Sequence, residues 1–523
     1  MSEALVKALQ NPELYDHPVA NFQLLETHIS WVLLTGEFVY KIKKPMNFGF
    51  LDFSTLAQRR HFCEEELRLN RRLLESVYLK VVAIGGSEDS PEMNTSGEAI
   101  EYAVQMRQFD PSSVLDQLDP ADEALPIYMK QLAHQIADFH TNDCAIAADD
   151  RDFGKPEQVF APMAQNFEQI EPMLEDGADK ALLKLVEQWA GSEFKRLTPL
   201  LASRREKGYV RECHGDMHLG NVAIINGKPS LFDCIEFNED FRWIDTINDL
   251  AFLLMDLQDR GLDHLAYRVL NIYLEDTGDF EGVRLLNFYK SYRAMVRCKI
   301  ALFTAGNEGI DAAERDRQLG KARQYLRLAE RYMSIPRQFL IISQGLSGSG
   351  KTTVSTHLLE HLKAVRVRSD VERKRLHGFK PLDNTKSSAD AGIYAAESTE
   401  QTYTHLADTA DLLLKAGRSV ILDATFLKEV QRGQMRRVAE LNGVPFAIMS
   451  CQAEENILRE RVQARKRQGK DAAEADISIL ERQIKALEPF TEAEQSTVIS
   501  VCSDHLLEID CLAKRLATHL DLD

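Results

Sequence analysis

Eight cysteines are scattered through 523 residues, and none forms a Cys-x-x-Cys pair. That absence argues against a disulfide scaffold or a zinc site, and it suits reduced, buried thiols. No stretch approaches the ~18 consecutive apolar residues of a membrane span. The opening "MSEALVKALQNPELYDHPV" has no basic n-region and no apolar signal core. A cytoplasmic protein is the expectation. Positive charge is in deficit, with 63 Lys+Arg against 81 Asp+Glu and a net charge of -18. Such a balance argues against general affinity for nucleic acid or an anionic membrane. Internal repeats and long low-complexity tracts are also missing. What remains is an ordinary globular composition, 44% hydrophobic and 28% charged, in a chain too long for one core. Two or three domains are expected.

Charge and pattern both change near "MSIPRQ", where Pro336 breaks a helical run. From residue 337 onward there are 26 Lys+Arg against 27 Asp+Glu, whereas the preceding part has 37 against 54. An acidic domain over 1–335 and a nearly neutral one over 337–523 follow. Early in the first, "FQLLETH", "ISWVLLT" and "FVYKIKK" read as strands, with "TGE" turning between the last two. Thr55 and Gln58 have capping-box spacing, and Phe62, Glu66, Leu69 and Leu73 share one face of the helix they open. "YLKVVAI" and "AIEYAVQMRQF" form another strand pair, and helical patterns run from 126 to 208. Asn226-Gly227 lies between two alternating runs, a hairpin signal. Beyond 337, "FLIIS", "VRVRS", "SVILDAT" and "PFAIMSC" alternate with helical patterns, which predicts a parallel α/β sheet.

Two stretches carry chemistry. The first is "CHGDMHLGNV" at 213–222. Phosphoryl transfer needs a base near the acceptor hydroxyl, metal ligands near the phosphates and a cation on them. Asp216 can be the base. Asn221 can give a carbonyl oxygen to Mg²⁺, and Asp233, beyond the hairpin, can supply the charged ligand. The pattern His214-Gly215-Asp216-x-His218-x-x-Asn221, followed by Asp233, resembles the aminoglycoside phosphotransferase-like family. The likeness covers roughly residues 20–330 and implies a bilobal α+β protein-kinase-like fold, with an N-lobe over 1–107 and a C-lobe over 108–335. It implies that Asp245 and Asp249 orient the catalytic loop and that "YAVQMRQ" is the hinge meeting adenine. It also implies a lysine on ATP from "FVYKIKK", Lys41 or Lys43, and a glutamate partner, Glu66 or Glu65. Glu66 sits on the apolar face, where an unpaired carboxylate is costly. Two departures stand out: there is no Gly-x-Gly-x-x-Gly near 20–36, and the order Asp233-Cys234-Ile235-Glu236 shifts the family's second acidic position.

The second stretch is "GLSGSGKTT" at 345–353. Gly345, Gly350, Lys351 and Thr352 make a Walker A motif after a strand and before a helix. Its glycines, Gly348 among them, let the backbone aim N–H groups at phosphate, with Ser347, Ser349 and Thr353 alongside. Lys351 would reach the β- and γ-phosphates, and Thr352 would present its hydroxyl to Mg²⁺. Asp370 follows the next strand and is placed to accept a hydroxyl proton, with Arg373 beside it. Asp423 ends a strand and can position Mg²⁺ through water. Arg461 and Arg465 lie four apart on one helix face, a candidate lid, and Gln483 follows. These pieces resemble the P-loop kinases of the gluconate kinase and polynucleotide kinase group over about 338–500.

The expectation is therefore a bifunctional ATP- and Mg²⁺-dependent kinase with two small-molecule hydroxyl acceptors. Two rivals remain open. One domain could bind nucleotide only to regulate the other, or the P-loop half could phosphorylate 5′-hydroxyl ends, given the basic cluster Arg366, Arg368, Arg373, Lys374 and Arg375.

Overall fold

The computed structural model describes residues 3–522 apart from 50, 308, 384, 386–392, 394, 469–471, 473–475 and 504–507. It divides into two compact units, one of Met1–Asp256 with Phe288–Ala329, the other of Leu257–Asn287 with Glu330–Asp523.

The first unit is α+β and kinase-like. Its N-terminal part is built on β1 (Gln23–Glu26), β2 (Ser30–Leu34), β3 (Phe38–Lys43), β4 (Tyr78–Gly86), β5 (Pro91–Met93) and β6 (Glu101–Arg107), in the antiparallel order β1-β2-β3-β6-β4-β5. In β3, Lys41 lies opposite Val104 of β6 and Val32 of β2. Alternation therefore sends Lys41 and Lys43 to one face and Tyr40 and Ile42 to the other. The Leu56–Leu74 helix starts on the expected capping box. Thr55 Oγ1 accepts from the Gln58 amide at 3.2 Å, and Gln58 Oε1 accepts from the Thr55 amide at 3.2 Å. Its buried stripe is Arg59, Cys63, Glu66, Leu69, Asn70 and Leu74, while Phe62 and Leu73 are only half-buried. The core face is thus turned about one residue from the face read from the sequence, because Arg59 reaches Glu101 and is drawn inward.

Helices Leu125–Asp138, Pro156–Ile170 and Gly177–Glu206 fill the stretch expected to be helical. Short β7 (Val210–Glu212) precedes the 213–222 loop, and β8 (Val222–Ile225) and β9 (Lys228–Leu231) form the expected hairpin. Asn226 and Gly227 take φ of 51° and 75°, the left-handed turn that matches strand twist. β10 (Trp243–Asp245) pairs with β7 and leads into the Thr246–Asp259 helix.

The second unit has a parallel sheet of β11 (Leu340–Gln344), β12 (Ala364–Arg368), β13 (Ser419–Asp423), β14 (Phe446–Gln452) and β15 (Val498–Cys502), ordered β12-β13-β11-β14-β15. This is the topology of a P-loop nucleotide-binding fold. β15 was not among the strands read from the sequence. It is an edge strand whose burial alternates, so it lacks the continuous apolar run of β11 or β13.

One segment belongs to different groupings by sequence and by packing. Residues 257–287 end 49 positions before Pro336 but pack in the second unit. There the Asp263–Thr277 helix covers the free edge of β12. Asn271 Nδ2 donates to Ala364 O at 3.0 Å, and Asn271 Oδ1 accepts from Arg366 N at 2.6 Å. Glu275 pairs with both Arg366 and Arg368. An edge strand's open N–H and C=O groups are thereby paired by a side-chain amide.

Candidate active sites

In the first unit the site is assembled from both sides of a cavity of about 1310 Å³. From β3, Lys41 Nζ lies 2.6 Å from Asp233 Oδ1 and 2.9 Å from Glu66 Oε1. Lys43 Nζ lies 2.7 Å from Glu66 Oε2 and also pairs with Glu236. Both lysines therefore share Glu66, but Lys41 lines the cavity, whereas Lys43 is fully buried and does not. Glu65 points elsewhere, to Arg68 and Arg242. Burial pushes the Glu66 carboxyl up, but the two ammonium groups outweigh it and hold it at about 2. Burial likewise opposes charge on Lys41, and Asp233 and Glu66 overcome it to keep the ammonium well above the usual lysine range. Glu236 is buried against Lys43, and burial pushes its carboxyl upward. The one-residue shift seen in the sequence thus leaves Glu236 engaged by a lysine.

Across the cavity, the 213–222 loop is fixed by buried donors and acceptors. Asp249 accepts from the amides of His214 and Gly215 at 2.9 Å each. His214 Nε2 lies 2.9 Å from Phe232 O, and its Nδ1 accepts from the Asp216 amide at 3.3 Å. This is a neutral tautomer that ties the loop to the residue before Asp233, and burial keeps its pKa below the usual histidine value. Asn221 Nδ2 donates to Asp216 Oδ2 at 2.9 Å, and Asn221 O accepts from Phe232 N at 3.0 Å. Asp216, Asn221 and Asp233 are thereby brought together. The Asp216 side chain is 36% exposed, with His218 Nε2 at 3.4 Å. Burial pushes its carboxyl up, but His218, with help from Arg297, more than offsets this and leaves it well below the ordinary range. Asp216 is an anion at neutral pH. Asp233 has φ of 64°, rare for a residue with a side chain, and its carboxylate is 42% exposed.

Asp245 differs from the sequence expectation. It does not touch the catalytic loop but is buried against Arg204, at 2.7 and 2.9 Å. Loop support comes instead from Asp256, which accepts from the Leu219 amide at 3.0 Å, and from Arg293, which donates to Gly215 O at 2.9 Å. Asp256 carried a readable signal: it lies seven residues after Asp249, two helical turns on, in the otherwise apolar run "DLAFLLMD". Arg293 carried none.

The second unit builds its site at the carboxyl ends of β11, β12 and β13. Gly345 has φ of 151°, and a Cβ there would meet Cys451 O at 2.4 Å. Gly348 and Gly350 take φ of 85° and 81°. Only glycine supports this backbone, which then opens the Lys351–His361 helix. Lys351 is buried and donates to Leu346 O at 2.8 Å, and burial pushes its pKa down. Ser347 N donates to Gln483 Oε1 at 2.8 Å. Ser349 Oγ is buried with no hydrogen-bond partner among the described residues, whereas Thr353 is exposed. Thr352 and Asp370 are half-buried, and no hydrogen bond or ion pair engages the Asp370 carboxylate among the described residues. Asp423 accepts from Ser355 Oγ at 3.2 Å and lies 3.4 Å from Ser343 Oγ. Arg461 donates to Gly348 O at 3.2 Å and to Ser503 O at 2.7 Å, and so lies against the loop. Arg465 is half-buried one turn further along the same helix. Arg373 faces inward to Ile393 O and Thr399 Oγ1.

Comparison with known proteins finds one family match over each of the two catalytic loops. Residues 59–286 match the model of the "Phosphotransferase enzyme family", and residues 340–490 match an "AAA domain" model. The chain carries two kinase-type domains and is by class a phosphotransferase. Over 475 residues it is 28% identical to an uncharacterized protein of Mycobacterium tuberculosis (strain ATCC 25618 / H37Rv), covering 89% of this chain and 92% of that one. An adenylyl-sulfate kinase of Myxococcus xanthus (strain DK1622) is 32% identical over 121 residues, 23% of this chain and 60% of that protein. A crystal structure of a choline/ethanolamine kinase family protein from Mesorhizobium loti aligns with 63% of this chain and 98% of its own, at 11% identity and a TM-score of 0.36. Among the described residues no helix is long and apolar enough to cross a membrane.

Proposed function

We propose that the chain is a bifunctional, cytoplasmic kinase. Each domain transfers the γ-phosphate of ATP to a hydroxyl of its own small-molecule acceptor. The observation that carries the first half is the meeting of Lys41, Asp216 and Asp233 at one cavity, with Asn221 bonded to Asp216, from segments as far apart as residues 41 and 233. Asp216, an anion, orients the acceptor hydroxyl and takes its proton. Lys41 grips the phosphates, and Glu66 holds Lys41 in place.

The donor set fits magnesium, which takes oxygen ligands. The Asp233 carboxylate is partly exposed, and the Asn221 amide turns its nitrogen to Asp216, leaving its oxygen without a hydrogen bond among the described residues. Bound there, the ion would neutralise phosphate charge. In the second half, Thr352 and Asp423 are the corresponding candidates, Lys351 and the loop amides hold the phosphates, and Asp370 faces the acceptor. Arg461 and Arg465 close over the transferring group.

A small acceptor for the second half is supported by the fate of its basic cluster. Arg366 and Arg368 are taken up by Glu275, Arg375 by Glu372, Arg373 by backbone and Thr399, and Lys374 by the carbonyls of Pro381 and Asp383. Charges spent internally do not track a phosphate backbone, so the 5′-hydroxyl kinase reading loses its motive. The test is a metabolite-pool screen with γ-labelled ATP, run on the wild type, Asp216→Asn and Asp370→Asn. Two labelled products are expected, each lost in one variant. A single product, insensitive to one of the two, would instead make that domain a nucleotide-binding regulator.

A further inference from the structure

The acceptor end of the first cavity carries charge of the opposite kind to the rest of its domain. Several cations inside this unit are matched by carboxylates. Arg59 has Glu101, Arg204 has Asp245, Arg242 has Glu212, and Lys41 and Lys43 have their carboxylates. On the Leu286–Ala305 helix, two cations lining the cavity are not. Arg297 is half-buried, and its one hydrogen bond is a long 3.5 Å contact to Tyr325 Oη. Lys299 is half-buried, and its one bond is to the amide oxygen of Gln169 at 3.2 Å. No carboxylate lies within 4.0 Å of either among the described residues.

A neighbouring donor is unsatisfied too. Asn166 is 2% exposed, lines the same cavity, and its Nδ2 has no hydrogen-bond partner among the described residues. An unmatched buried donor costs about 1–3 kcal/mol, and a desolvated cation more. Burial accordingly pushes the Lys299 ammonium below the usual lysine range. The two carboxylates that line this end, Asp216 and Glu175, pair with neither cation, and Glu175 is exposed. Three donors therefore line one cavity, and neither cation has an ion-paired carboxylate among the described residues, in a chain whose net charge is -18. Arg297 is near enough to Asp216 to help depress its carboxyl, which puts this cation on the Asp216 side of the cavity.

We propose that the acceptor of the first centre carries an anionic group, a phosphate or a carboxylate, bound by Arg297 and Lys299 with the Asn166 amide. The inference rests on Asp216 as the centre of phosphoryl transfer. It separates this site from one built for a cationic acceptor, which would need carboxylates where these donors stand.

The test uses the full chain with Lys351→Ala, so that the second centre is silent. Binding of orthophosphate and of acetate is measured by calorimetry with the Mg²⁺ complex of a non-hydrolysable ATP analogue filling the nucleotide site. The stronger of the two names the group as phosphate or carboxylate. Arg297→Ala and Lys299→Ala should each weaken that binding by about 10- to 100-fold, the effect of losing one charged hydrogen bond. Arg297→Lys, which keeps the charge and the fold, should retain most of it. Acceptors are then compared in pairs, a sugar with its monophosphate and a polyol with its hydroxy acid. The anionic member should be preferred, and the alanine variants should raise its KM while leaving the KM for ATP unchanged. Preference for a neutral or cationic acceptor, with KM unmoved by either variant, would overturn the inference and leave the kinase reading standing. A rise in the KM for ATP alone would overturn it as well, by assigning the cations to the nucleotide. Cation-dependent anion binding without Asp216-dependent transfer to any acceptor would uphold the anion site and count against the kinase reading.

Discussion

The two centres handle the same chemistry with different construction. In the first, the working groups are held by a lattice of buried charges drawn from distant segments, with Glu66 between Lys41 and Lys43, and Asp249 under the loop. In the second, one contiguous loop does most of the holding. Its glycines set the backbone, Lys351 is parked on a loop carbonyl, and the Asp370 carboxylate makes no hydrogen bond or ion pair among the described residues. A site made of ion pairs couples activity to stability, because each pair is also part of the core. A site made of backbone geometry separates them.

The sharpest way to break this comparison is Asp216→Asn. It should lower turnover at the first centre by about 10²- to 10⁴-fold, read as product from the first acceptor, while the second product is unchanged. Loss of both products would mean that the centres are not independent. At the second centre, Lys351→Ala should cost about 10²- to 10³-fold in turnover, as for loss of one electrostatic contact in a closed site. Its melting temperature should hardly move, because no carboxylate is left unpaired.

Glu66→Gln should behave in the opposite way. It leaves two buried lysines short of charge, so about 3–5 kcal/mol of stability should go with the activity, measured by denaturant unfolding. The pH dependence follows from the sign. The Glu66 pKa is depressed from 4.5 to about 2, so its contribution is full above 4.5 and is lost as pH falls from 4.5 toward 2. That shift corresponds to about 3 kcal/mol. Acid unfolding of the wild type should show this loss, and Glu66→Gln should flatten it. The smallest effect is expected outside both sites. Asn271→Ala removes two hydrogen bonds from the edge of β12 and should destabilise the second unit by about 1–3 kcal/mol without changing either product. A P-loop fragment lacking residues 257–287 should show at least that loss in its unfolding midpoint.

What the sequence determined is what depends on neighbours along the chain. The Asn226-Gly227 hairpin, the Thr55 capping box, the strand–loop–helix of residues 340–361 and the alternation of the parallel sheet all rest on local backbone preferences. So does the spacing from His214 to Asn221, which one turn of chain brings to a common locus. Tertiary structure decided the rest, because the deciding contacts join residues from 41 to 193 positions apart. Both Lys41 and Lys43 lie on one strand face, and only the far side of the cavity separates their roles, giving Asp233 to the first and Glu236 to the second. Two turns of one helix offered Asp249 and Asp256 alike, but Asp245 was spent on Arg204, which no local pattern records. The capture of β12 by Asn271 and Glu275 likewise joins residues about ninety positions apart. Electrostatic pairing acts through space, and a linear pattern carries its partners without their addresses.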